Sequence, residues 1–321
     1  MNSFSTNNSR IAWIDWMKVI GMYFIILGHF FPYGYEYIYV FNVPVFFVIS
    51  GYLCKKEKAQ IVFWRKIIQK YIIPLIFIVI AMYLWNWHTW EQNDKASKTL
   101  YFLYFSFIGS QKCLGTGWFI YTLIILRIIF QYSPSSTLSH ICLFCVFSLL
   151  SIFLHFHNIH HFNAVLNAAT AYPVFLMGHF FYIQTENNSH TYKTDIKILL
   201  LLVTIICIYI CGKINGEVWM YNNDYGKSFI LFLLGSITGS VLLYILSIML
   251  EKNFKSIIHT LSAGNILTLG FHPIVIAAIG RHGGYIDYVT SFFILISFFP
   301  IIQLTRMYFP YILGIRKFNK I

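Results

Sequence analysis

Long apolar stretches recur along the whole of this chain, broken only by short polar connections. About 20 mostly apolar residues are enough to carry a helix across a bilayer. On that scale the pattern predicts ten helices, at 12–31, 37–54, 67–87, 117–132, 138–155, 164–183, 196–212, 227–250, 264–281 and 286–309. The segment 100–109 is apolar but too short to cross, so it is expected to re-enter or to lie in the interface. Counted as a span, it would make eleven helices and move the C-terminus to the other side. No transporter-type internal repeat and no low-complexity run is present. The expected fold is an all-α polytopic membrane bundle. It forms a single domain over residues 1–321, with its helical core at about 11–309.

Composition strengthens this reading. Of 321 residues, 58% are hydrophobic and only 11% charged, against about one-quarter charged in an ordinary soluble domain. One soluble core of this length could not hide so much apolar surface. The net charge of +12 does not indicate a nucleic-acid partner, because the basic residues sit between spans rather than on a foldable soluble module. The first span is no cleavable signal, since it carries Asp15 and Lys18 and lacks a small-residue cleavage site. Cys142, Cys145, Cys207 and Cys211 lie inside apolar runs and read as packed thiols, with no disulfide framework.

Charge also orients the bundle. With the N-terminus inside, sixteen Lys and Arg residues fall on the cytoplasmic side, among them Lys55, Lys56, Lys58, Arg65, Lys66, Lys70, Arg127, Lys252, Lys255 and Arg306. Six fall outside: Lys95, Lys98, Lys112, Lys213, Lys227 and Arg281. The positive-inside rule then puts both termini in the cytoplasm of a multi-pass protein of the cytoplasmic (inner) cell membrane.

The first span is the least ordinary. Asp15, Lys18 and His29 interrupt an apolar helix, and ionisable groups at membrane depth normally face a bundle interior or a wet cavity. Lys18 and His29, eleven residues apart, return to within about 20° of one face at 100° per residue. Asp15 lies about 40° to the other side of His29, so all three share one arc. They form either an ion pair with a capping imidazole, or an anion-binding lysine with a base roughly 16 Å above it. In the ninth span Asn265, Thr268 and His272 share a face, and Pro273 frees a backbone carbonyl that needs another donor. That face suits an interhelical hydrogen bond or a substrate contact equally. In the second span Asn42, Pro44, Ser50 and Gly51 predict a kink and a surface against which another helix packs closely.

Taken together, these segments resemble acyltransferase family 3, the bacterial membrane O-acyltransferases that modify surface polysaccharides. Lys18 and His29 match its basic residue and histidine separated by ten residues, with Lys where Arg is common. Phe41, Pro44, Phe46, Phe47, Ile49, Ser50, Gly51 and Tyr52 match its next signature, with Asn42 where a histidine is usual. Lys70 with Pro74, Trp118 with Phe119, and Leu269 to Pro273 are similar to later elements, the last without its tyrosine. The Asp-x-x-Lys opening is similar to the fucose 4-O-acetylase-like members.

The resemblance implies that His29 is the catalytic base for an acceptor hydroxyl and that Lys18, with Asp15, meets the phosphates of a cytoplasmic donor. The donor would be acetyl-CoA or another acyl-CoA, used as a substrate with no bound cofactor. The acceptor would be a sugar hydroxyl of a surface glycan or its lipid-linked precursor. Asn42, Ser50, Lys70, Trp118, Asn265 and His272 are candidate substrate or structural polar contacts. The outer loop from His155 to His161 is rich in imidazole, yet no cysteine or carboxylate completes a metal site, so no metal is expected. A transporter or flippase of a polar or glycan substrate is the competing function, since intramembrane charge suits that class too.

Overall fold

The computed structural model describes residues 12–87, 91, 94–159, 164–186 and 194–315. Among these the only regular structure is helical, with no strand beyond an isolated bridge between Trp219 and Asp224, as the apolar pattern implies. The helices are α1 (Ala12–Phe30), α2 (Tyr35–Tyr39), α3 (Pro44–Tyr52), α4 (Gln60–Ile67), α5 (Ile73–Trp87), α6 (Lys95–Phe107) and α7 (Gln111–Leu114). They continue as α8 (Trp118–Tyr132), α9 (Thr137–Phe156), α10 (Ala164–Glu186), α11 (Thr194–Asn215), α12 (Phe229–Leu250), α13 (Lys255–Ala263), α14 (Asn265–Ile279) and α15 (Tyr285–Tyr308).

Seven helices among the described residues are long and apolar enough to cross a membrane, and the α13–α14 pair, bent by 76°, makes an eighth if it is one span. The expected ten included three segments outside those seven. The first, α1, is 19 residues long, but Asp15, Lys18 and His29 lower its hydropathy. The second expected span, 37–54, is not one helix. The five-residue α2 is separated from α3 by a turn over residues 40–43, and Pro44 opens α3 at its first position, where the missing N–H is tolerated. Pro44 therefore starts a helix and does not kink one. The ninth becomes the 15-residue α14 behind a sharp bend. The segment at 100–109 lies mostly in α6, which buries Phe102 and leaves Leu100, Leu103 and Phe107 exposed.

Two close approaches fix the inner helices. A side chain at Gly51 would meet the carbonyl of Phe175, and one at Gly178 would meet the carbonyl of Val48, so α3 and α10 touch backbone to backbone. Small residues permit such contact between membrane helices, and the helix expected against Gly51 is α10. At the α13–α14 bend, Gly264 leaves room for Ile302 of α15. Cys142 and Cys145 are exposed on α9 rather than packed inward.

Candidate functional site

A cavity of about 950 Å³ runs beside α1, and Asp15, Lys18 and His29 all line it. The shared arc is thus the face α1 turns towards the bundle's interior space. Ser50 from α3, Trp118 from the start of α8 and Asn265 from the start of α14 line the same cavity.

Hydrogen bonds tie the bend to α1. Ser262 Oγ donates to the buried Asp15 Oδ1 at 2.6 Å, and Asn265 Nδ2 donates to the Lys18 carbonyl at 3.3 Å. A carboxylate in a low-dielectric interior is stabilised by donors, and here the donor comes from the last turn of α13. The two contacts hold the bend against the helix that carries Lys18.

Lys70 sits in a π-helical turn, Ile68–Ile72, just before Pro74. Pro74 has no N–H for the Lys70 carbonyl, and its ring crowds that carbonyl. Wider turns of this kind are frequent at functional sites, and Lys70 lines the cavity. Lys55, Lys66, Arg127 and Arg306 line it as well, Lys66 paired with Glu57 at 2.5 Å. Among the described residues six cationic side chains thus line the cavity with the carboxylates Asp15 and Glu57.

His272 does not line the cavity. It is fully buried, and its ring centre lies 4.8 Å from that of His29, with the planes tilted by 53°. Its Nδ1 is 3.0 Å from the Thr268 carbonyl. The Leu269 carbonyl, which Pro273 cannot serve, accepts from Thr116 Oγ at 2.5 Å. The neighbour that the proline demanded is therefore a hydroxyl from the turn before α8.

Asn42 does not reach the cavity either. It is buried in the turn before α3, accepts from the Val43 N–H at 2.8 Å, and presses its amide against Gly28. A side chain at Gly28 would stand 2.9 Å from Asn42 Nδ2. Asn42 therefore packs next to the residue that precedes His29.

Arg127, Arg306 and Thr116 were not singled out as site residues from the sequence. Arg127 carried a signal, because a charge inside IILRIIF is as unusual as one inside α1. Arg306, near the end of α15, and Thr116 carried none. Of the stretch His155 to His161, expected as a loop, His155 lies in the last turn of α9, its Nδ1 3.7 Å from Asp224 and its ring stacked on Tyr225. His160 and His161 lie outside the described residues.

A family model described as an acyltransferase domain, acyltransferase 3, matches residues 11–314. The chain belongs to the acyltransferase 3 family. The match takes in every cavity-lining helix, from α1 to α15. No curated protein and no solved structure matches this chain significantly. Membership, with the apolar helices, supports a membrane acyltransferase.

Proposed function

We propose that this membrane acyltransferase moves an acetyl group from acetyl-CoA, entering from the cytoplasm, to a sugar hydroxyl of a surface polysaccharide or its lipid-linked precursor. The observation that carries the reading is the single cavity joining a cationic end to His29. Lys18, Lys70, Arg127 and Arg306 offer the point charges and planar donor forks that bind phosphate groups. Lys18 and Asp15 belong to the donor end, and His29 to the chemistry.

The reaction needs a stronger nucleophile than a neutral hydroxyl. His29 takes the hydroxyl proton as the oxygen attacks the thioester carbonyl. The tetrahedral intermediate collapses to the ester, the C–S bond breaks, and the protonated imidazole returns its proton to the departing thiolate. Free CoA and an acetylated sugar result, and His29 is regenerated neutral.

The acceptor would approach from the far end of α1. There Phe31, Tyr39 and Trp219 are partly exposed, with ring centres 4.9 to 6.0 Å apart, and Arg281 lies 4.6 Å over Phe31. Aromatic faces of this kind stack on the C–H faces of sugar rings, which supports a glycan acceptor. Both termini are cytoplasmic in this reading, in the cytoplasmic membrane of the cell. A reporter at the C-terminus that is active only outside would overturn that orientation.

Purified protein supplied with acetyl-CoA and a sugar acceptor should release CoA thiol only when the acceptor is present. Glycan movement across liposomes with no acetyl-CoA consumed would return the transporter reading.

A further inference from the structure

The buried histidine on α14 has a chemical state that its neighbours define. A carbonyl oxygen can only accept a hydrogen bond, so at 3.0 Å from the Thr268 carbonyl Nδ1 of His272 must carry the proton. The lone pair of the neutral ring then sits on Nε2. That atom is buried and has no hydrogen-bond partner among the described residues, and a buried acceptor left unserved is destabilising. The imidazole beside this ring is that of His29, with centres 4.8 Å apart. An N–H···N bond of about 2.9 Å between two imidazoles puts their centres about 5 Å apart. The separation of the centres already suits such a bond, and what remains is to turn the rings so that the two nitrogens line up. Rotation of an imidazole about its outer side-chain torsion is soft.

We propose that His272 is a positioning residue for His29: its Nε2 accepts the N–H of one His29 nitrogen and so leaves the other nitrogen bare towards the cavity. This rests on the reading of His29 as the base. A base with the wrong tautomer presents a proton where a lone pair is needed. The neutral acceptor on His272 selects the useful tautomer, and it faces an N–H of His29 after His29 has taken the hydroxyl proton. It adds no second charge to a membrane interior, where an unpaired charge is expensive. Thr116 supports the arrangement by satisfying the Leu269 carbonyl, which lets Pro273 follow His272 without an orphaned group.

Side-chain isosteres separate this role from packing. Gln places its terminal amide near the position of Nε2, whereas Asn reproduces only the donor at Nδ1. His272→Phe and His272→Asn should lower kcat by about 100-fold, as expected when a reacting group is mispositioned, with KM for acetyl-CoA unchanged. His272→Gln should recover most of the turnover. A structural role through the Thr268 bond predicts the reverse, with Asn rescuing and Gln failing, and that result would overturn the proposal. Imidazole ¹⁵N NMR of histidine-labelled protein in detergent, assigned with His29→Ala, gives a readout independent of activity. It should show His272 with its proton on Nδ1 and a single His29 tautomer that becomes a mixture in His272→Phe. A proton on His272 Nε2, or a His29 spectrum unaffected by His272→Phe, would overturn the pairing. Paired tautomers in a protein that transfers no acyl group would sink the role of His29 as base and leave the pairing standing.

Discussion

The outer helices and the helices of the site obey different rules. In α9 and α11 only 17% and 22% of the most apolar window is buried within the protein, and leucines and isoleucines such as Leu149 and Ile206 face outwards. In α1, by contrast, eleven of nineteen residues are buried, Asp15 among them. The three expected spans that are not among the seven apolar helices are α1, the α2–α3 pair and α14, and each contributes to the site or packs against His29. Hydropathy measures contact with lipid. A helix shielded by other helices is released from that requirement and can hold ionisable groups, breaks and bends, provided each polar group finds a partner.

The sharpest way to break this comparison is at His29. His29→Ala should lower acyl transfer by about 10²–10⁴-fold, the usual loss for a general base, with membrane insertion intact. Near-wild-type O-acetylation in isolated membranes would make His29 another packed polar residue. A second test concerns packing between the inner helices. Gly178→Leu places a side chain against the Val48 carbonyl and should destabilise the protein by about 1–3 kcal/mol through overpacking. A lowered thermal midpoint in detergent reads this out, and an unchanged midpoint would mean that α3 and α10 can part freely. Lys18→Met should raise KM for acetyl-CoA about tenfold, the scale of one charge-assisted hydrogen bond, whereas Lys18→Arg should keep most activity. If donor affinity holds while turnover collapses, Lys18 belongs to the chemistry or to folding. The smallest effect belongs to the outer region. Leu149→Ala on the exposed face of α9 should change stability by no more than about 0.5 kcal/mol and leave transfer unchanged. A large loss there would show that α9 carries a contact beyond lipid.

Particular residues show how far the sequence could be read. The arc of Asp15, Lys18 and His29 was legible because helical periodicity alone places them on one face, and one cavity receives all three. The need for a donor to the Leu269 carbonyl was legible from Pro273, but Thr116 as that donor was not, because the two lie 153 residues apart. Arg127 is visible as a charge within an apolar run, but from the sequence it bears only on topology. Asn42 stands at a family position, and its place between a turn and Gly28 depends on contacts the motif does not specify.

From the sequence by itself came the all-helical membrane class, the family and the polar face of α1. Each rests on local chemistry: apolar length, short-range periodicity and motif order. The tertiary structure alone decided that α2 and α3 break apart, that α13 and α14 bend by 76°, and that His272 stands behind His29 while Arg127 and Arg306 face Lys18's cavity. Those outcomes depend on which helix shields which. In a membrane a polar group is tolerated according to the partner that reaches it, and the partners come from distant parts of the chain.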